Sequence, residues 1–319
     1  MGEIMNIGVV SRVLAAVAAL GGAVALSATS AVAAGEEILP RSGTVPAGDG
    51  IDGNWTGSRA EAAETPDFTS ARSTSKRKMI DEWVTQMKAG NSEAAERARR
   101  VHVEKYPDDD ERPSAAQARA TASTSANAVA AYPASDFLAD VRADGQVNGI
   151  YCGPASGLGM IKTQDGVGFH SRKDGNLPYQ VHMANYEHMQ TDYYGATDWA
   201  RGQWRRGVNN WRGTNYYTQV GGSVSSAYEF SKAVQYAVNH DSKGVGVSTV
   251  EYVGKPHYNE HPNRLIGHWI WAYGFSQDGA YIHLADPAHS LATFPDSQPR
   301  FSIGRSTLWL NVEEHGYVN

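Results

Sequence analysis

The sequence predicts an α+β domain in which a helix carrying a cysteine leads into a mostly antiparallel sheet. Three observations predict it. The segment Tyr151-Cys152-Gly153-Pro154-Ala155 puts a proline where a helix begins, since its fixed φ suits the first turn and its missing N–H is not needed there. Residues 267–275 alternate, with His268, Ile270, Ala272 and Gly274 on one face and Trp269, Trp271, Tyr273 and Phe275 on the other. Asp278-Gly279 then turns the chain into a returning strand over residues 280–285. Between these, Ser226-Ala227-Tyr228-Glu229 is a capping box, and Phe230, Ala233, Val234, Ala237 and Val238 behind it form one apolar stripe.

In chain order, residues 1–33 have the layout of a secretory signal. Arg12 precedes an apolar run over residues 13–26, and Ala31-Val32-Ala33 offers a cleavage site. A run of about 14 residues is short of the ~20 that span a bilayer, so the expectation is a secreted protein with no stable membrane anchor. Residues 34–74 are rich in Gly, Pro, Ser, Thr and acid. Residues 76–106 read as two helices: Met79, Ile80, Trp83, Val84 and Met87 share a face, Ala89-Gly90-Asn91 interrupts, and Ser92 is placed to cap the second run. Residues 114–131 are almost all Ala, Ser and Thr, which reads as a linker. Residues 34–131 are therefore expected to be a leader or pro-segment, and residues 132–319 a single domain. Inside that domain, residues 170–225 read as helical or irregular, 245–250 as a strand, and 307–312 as a late strand.

Composition limits the function. With 28 basic and 34 acidic residues the net charge is −6, which argues against a nucleic-acid or anionic-membrane partner. Cys152 is the only cysteine, so an intramolecular disulfide framework and a multi-cysteine zinc site are excluded. In an exported chain a lone thiol pairs with another chain, sits buried as a small hydrophobe, or reacts. The position of Cys152 favours reaction. A helix N-terminus carries partial positive charge, which favours the thiolate, the nucleophilic form. Gly153 lets other backbone approach closely, and Gln146 lies six residues ahead.

The pattern Gln-x5-Cys-Gly-Pro-Ala resembles the papain-like cysteine peptidases, in particular family thirty-nine, the bacteriocin-processing type, and its secreted relatives. The likeness extends downstream to Gly267-His268 at the head of a strand, the Asp278-Gly279 turn, and Asp286-Pro287 at the end of the partner strand. It covers about residues 140–290. The resemblance implies a papain-like fold and peptide or amide hydrolysis with no cofactor and no metal. It implies Cys152 as nucleophile, Gln146 as a donor to the oxyanion, His268 as base and then acid, and Asp286 as the residue that orients it. The hairpin suits that task, because the head of one strand and the end of its partner lie at the same open end. A peptide or protein substrate is implied. The double-glycine leader substrate does not carry over, because the bacteriocin-processing enzymes are cytosolic parts of transporters and this chain reads as exported. A catalytically inactive secreted binding or wall-associated module, and transglutaminase-type acyl transfer at the same site, are the alternatives.

Three further signals read as structural. His257-Tyr258-Asn259-Glu260-His261 spells an inverted zinc-peptidase motif, but Pro256 and Pro262 bracket it and a loop near the His268 strand is the better assignment. His283 and His289 flank Asp286 and read as surface histidines. Residues 179–217 hold nine aromatics interleaved with Arg201, Arg205, Arg206 and Arg212, which suits core packing with a solvated basic face better than a binding cleft.

Overall fold

The computed structural model describes residues 70–110 and 132–319. The expected export signal, residues 34–69 of the leader, and residues 111–131, including the linker, lie outside the described residues.

Two helices come first, α1 (Ala71–Lys88) and α2 (Ser92–Lys105). Ser70 caps α1 by accepting the Ser73 N–H at 2.9 Å. Ser92 is the first residue of α2, and Asn91 occupies the cap without a side-chain bond. The predicted stripe of Met79, Ile80, Trp83 and Val84 is buried with Ala95 and with Tyr236 of the domain. Trp83 meets Tyr236 and His240 edge-on, with centroids 5.1 and 5.0 Å apart. The Nζ of Lys76 donates to the carbonyls of Tyr216 at 2.6 Å and Asn319 at 2.9 Å. Burial lowers the Lys76 pKa to about 8, against the partial support of Asp109 and Asp241. The helical pair is thus docked on the domain.

The domain is a mixture of helices and one antiparallel sheet. Its strands are β1 (Asp136–Phe137), β2 (Gln219–Gly221), β3 (Val245–Glu251), β4 (Ile266–Ser276), β5 (Tyr281–Ala285), β6 (Arg300–Gly304) and β7 (Gly316–Val318). The spatial order is β2-β7-β3-β4-β5-β6, with β1 pairing the end of β4. Helices cover both faces. On one, α7 (Ala227–Asn239) and α8 (Arg305–Val312) pack on Val245, Val247, Ile270, Ala272, Ile282 and Leu284. On the other, α3 (Cys152–Asp165) and α6 (Gln203–Arg212) pack on Trp269 and Trp271. Two short helices, α4 (Gln180–Ala184) and α5 (Thr191–Tyr194), lie between α3 and α6 in the chain. Cover on both sides explains why β3 is buried along its whole length. Ser226 caps α7 as predicted, its hydroxyl accepting the Glu229 N–H at 3.2 Å.

Two local expectations are corrected. Residues 307–312 are helix, not strand. Leu308, Asn311 and Val312 are buried at i, i+3 and i+4 while Leu310 is 53% exposed. Over so few residues the Leu-x-Leu-x-Val alternation mimics a strand. The second correction concerns the faces of β4. Phe275 lies with Ile270 and Ala272, not with the tryptophans. Pairing with β5 shifts register between Ala272 and Gly274, and a bulge of one residue turns the following side chains to the opposite face.

Candidate active site

Cys152 is the first residue of α3. The helix's first backbone bond runs from the Ala155 N–H to the Tyr151 carbonyl at 2.9 Å. The amides of Cys152 and Gly153 therefore lie among the opening groups that have no partner within the helix, and Pro154 has none to satisfy. Residues 152–161 of this helix are all buried. Gly153 has no alternative: a Cβ there would lie 2.1 Å from the Thr197 hydroxyl oxygen. The Thr197 carbonyl in turn accepts the indole N–H of Trp269 at 2.8 Å. The close approach thus ties the start of α3 to β4, one residue beyond His268.

His268 is buried on β4. Its Nε2–H donates to Asp286 Oδ1 at 2.8 Å, and the Cys152 side chain is near enough to support its positive charge. With Nε2 committed to the carboxylate, Nδ1 is the nitrogen left for sulfur. Burial alone would lower the pKa of this histidine. The charge and hydrogen bond of Asp286, and then Cys152, outweigh it and raise the pKa to about 10. The imidazole is an imidazolium over the whole neutral range.

Asp286 follows β5 and is wholly buried. Its Oδ1 also accepts the Ala288 N–H at 2.8 Å and so caps the turn Pro287–Ser290. Its Oδ2 accepts from His261 Nε2 at 2.8 Å, Asn259 Nδ2 at 2.7 Å and Ser297 Oγ at 3.2 Å. Burial would raise its pKa, but the two histidines hold the carboxyl well below the usual range. Gln146 is joined to the same region through its backbone. Its N–H donates to Pro287 O at 3.0 Å and its carbonyl accepts from Ser290 Oγ at 2.7 Å. Its side-chain Nε2 donates to Asn148 O at 2.8 Å, and its Oε1 is buried without a partner. Cys152, His268 and Asp286 are therefore brought together in one buried place, His268 bonded to Asp286, with Gln146 anchored to the segment that follows Asp286.

Sequence reasoning missed His261 and Glu251. The 256–262 segment is a loop beside the His268 strand, as expected, yet His261 points back into the protein. Its Nδ1–H donates to Glu251 Oε1 at 2.7 Å. Asn259 and Glu260 adopt positive φ of 51° and 55°, left-handed backbone that is costly for a residue such as Glu. A signal was available: Glu251 closes an otherwise uncharged buried strand, and a carboxylate there needs a cationic partner. His261, His268 and Asp286 offer ligand atoms within 4.8 Å of one another. In the arrangement described, the ring nitrogens of His261 are both engaged by carboxylates, Nδ1 by Glu251 and Nε2 by Asp286, and His268 Nε2 is engaged by Asp286.

The remaining signals are structural. His283 pairs with Ser276 Oγ at 2.9 Å, and His289 donates to the Asp286 backbone carbonyl at 2.7 Å. Trp199, Trp204, Trp211, Tyr216 and Tyr217 are core residues, and Arg212 pairs with Asp165.

No family model matches the chain, and no curated protein matches it. Among solved structures, xylellain, a cysteine protease from Xylella fastidiosa, aligns over 59% of this chain and 84% of its own length, with a TM-score of 0.29 and 10% sequence identity.

Proposed function

We propose that the chain is a secreted thiol hydrolase of the papain-like kind that cleaves peptide or amide bonds through an acyl-enzyme on Cys152. The observation that carries this is one buried imidazole, His268, bonded to Asp286 at 2.8 Å and near enough to the Cys152 thiol at the head of α3 for that group to support its positive charge.

The thiolate would attack the carbonyl carbon, and the oxygen would take the negative charge. The Cys152 N–H at the head of α3 is a donor for that oxygen, and the Gln146 amide is the second candidate. His268 would then give its proton to the leaving nitrogen as the C–N bond breaks. Water would enter, lose a proton to His268 and release the acyl group from sulfur. Asp286 would hold the imidazolium and its orientation throughout. No cofactor takes part in these steps. Attack by an amine in place of water would make the same site an acyl transferase.

Incubation of the secreted protein with a protein mixture, followed by N-terminal mapping, tests the proposal. New N-termini that disappear in Cys152→Ala support hydrolysis, and new isopeptide links would indicate transfer. A folded wild-type protein that produces neither, and gives no adduct with an acyl-reactive probe, would leave an inactive binding module as the reading.

A further inference from the structure

The buried charges beside the candidate triad form one network with a second histidine at its centre. Resting on the reading of Cys152 as nucleophile, we infer that His261, gripped from behind by Glu251, is a positioning residue that locks Asp286 and thereby aims His268.

The geometry is specific. A carboxylate bonded through one oxygen can still rotate about its Cβ–Cγ bond. Asp286 is held through both oxygens, Oδ1 by His268 and the Ala288 N–H, each at 2.8 Å, and Oδ2 by His261 at 2.8 Å beside Asn259 Nδ2 at 2.7 Å and Ser297 Oγ at 3.2 Å; of the three on Oδ2, only His261 is a rigid ring braced from behind by a second carboxylate. Neither histidine side chain is open to solvent, with exposures of 3% and 0%. The three strands that supply the network are neighbours. Glu251 ends β3, His268 is near the head of β4, and Asp286 follows β5. Only His261 comes from a loop, and that loop bends back through two left-handed residues to deliver it.

Glu251 fixes the far side of His261. Asp286 is shared between the two rings and Cys152 faces His268, so Glu251 gives the buried His261 a carboxylate of its own, and without it Nδ1–H would be buried with no acceptor. Glu251 bonds His261 Nδ1–H through Oε1 at 2.7 Å, while its Oε2 lies 3.0 Å from His257 Nδ1. Arg264 stacks on the Phe294 ring that also packs against His261. Burial would lower the pKa of His261, but Asp286 and then Glu251 raise it.

The test separates aiming from mere structural support. The side-chain nitrogen of Gln reaches where His Nε2 lies, and that of Asn only where Nδ1 lies. His261→Gln therefore keeps the bond to Asp286, whereas His261→Asn keeps only the bond to Glu251. Iodoacetamide at pH 6 reports the thiolate–imidazolium pair without a known substrate. Because Cys152 is the only cysteine, intact mass reads its alkylation directly. His261→Asn should slow labelling about tenfold, as outer partners of an oriented histidine do. His261→Gln should keep at least about a third of the wild-type rate. Equal rates in the two folded variants would overturn the inference. Should the Asn variant fail to fold, Glu251→Gln takes its place. Its labelling at pH 6 should also slow, and an unchanged rate would overturn the inference. A folded wild type that is labelled only after denaturation defeats the nucleophile reading itself, a different result from equality of the variants.

Discussion

At the scale of single residues, Cys152 was legible in the sequence for a local reason, whereas His268 and Asp286 were singled out by the family resemblance and the hairpin that joins them. Cys152 and Pro154 mark a helix start, and His268 and Asp286 sit at the two ends of one hairpin. Glu251 and His261 were not legible together, because they lie on different elements and only folding brings them within 2.7 Å. If the proposed mechanism holds, Cys152→Ala and His268→Ala should each lose at least ~10³-fold in kcat/KM with the fold retained, because a nucleophile and its base act as a unit. A folded Cys152→Ala protein with normal turnover would remove the thiol from the mechanism. Gln146→Ala should lower kcat about 10²-fold, the range for one oxyanion donor, and leave KM nearly unchanged. The pH profile is set by the histidine. His268 holds its proton up to about pH 10, so kcat/KM should stay level through pH 8–9 and fall only as pH approaches about 10. An alkaline limb near pH 6.5, the value of an ordinary histidine, would show that Asp286 does not hold it.

At the scale of elements, long periodic segments were legible and short ones were not. α1, α2, α7 and β4 carry enough repeats of their period to show it. α8 and the bulge in β4 do not, because five residues fit either period and one inserted residue leaves no compositional mark. The helical pair was found, but its docking depends on partners distant in sequence. One of these is the junction between α2 and α7, where His240 Nε2 lies 3.5 Å from Glu96 and Nδ1 donates to Asp241 at 2.7 Å. Burial would lower the pKa of His240, but Asp241 and Glu96 raise it to about 9. Glu96 is held down at about 2, chiefly by its bond to His240. The signs give a window. The histidine contributes fully below its unfolded value of ~6.5 and its contribution is lost as pH rises through about 9. The carboxylate contributes above ~4.5 and is lost as pH falls toward about 2. The junction's own contribution should thus be greatest between about pH 4.5 and 6.5, and decline by on the order of 3 kcal/mol toward pH 9. His240→Gln should flatten the alkaline side of a plot of melting temperature against pH, and an unchanged slope would exclude this junction as its source.

At the scale of the whole molecule, the helical pair and the candidate site occupy different parts of the sheet. Contacts of α1 and α2 run to α7, to β2 through the bond from Ser73 Oγ to Gln219 O at 3.1 Å, to Val224 through Arg77, to Tyr216 and Asn319 through Lys76, and to the closed end of the β4–β5 hairpin, away from His268 and Asp286, through Lys88 and Asp278 at 3.3 Å. The site is built from the head of α3, from β4 and from the turn after β5. An effect of the pair on activity should therefore act through stability rather than by covering the thiol. Lys76 is the point at which to test this. Lys76→Ala removes two charge-assisted bonds and leaves the Tyr216 and Asn319 carbonyls unmet, offset by release from burying the ammonium. A net loss of about 2 kcal/mol would lower the melting temperature by roughly 4–8 °C in a domain of this size. The composition of residues 114–131 makes them the expected place for a protease to cut. After such a cut, the pieces should stay together on gel filtration at pH 6, where Glu96 and His240 are both charged. They should separate more readily at pH 9.5, where His240 has lost its proton. Turnover per folded molecule should be the same before and after separation. A rise on separation would mean that the pair restrains the site after all, and that residues 34–131 act as an inhibitory pro-segment.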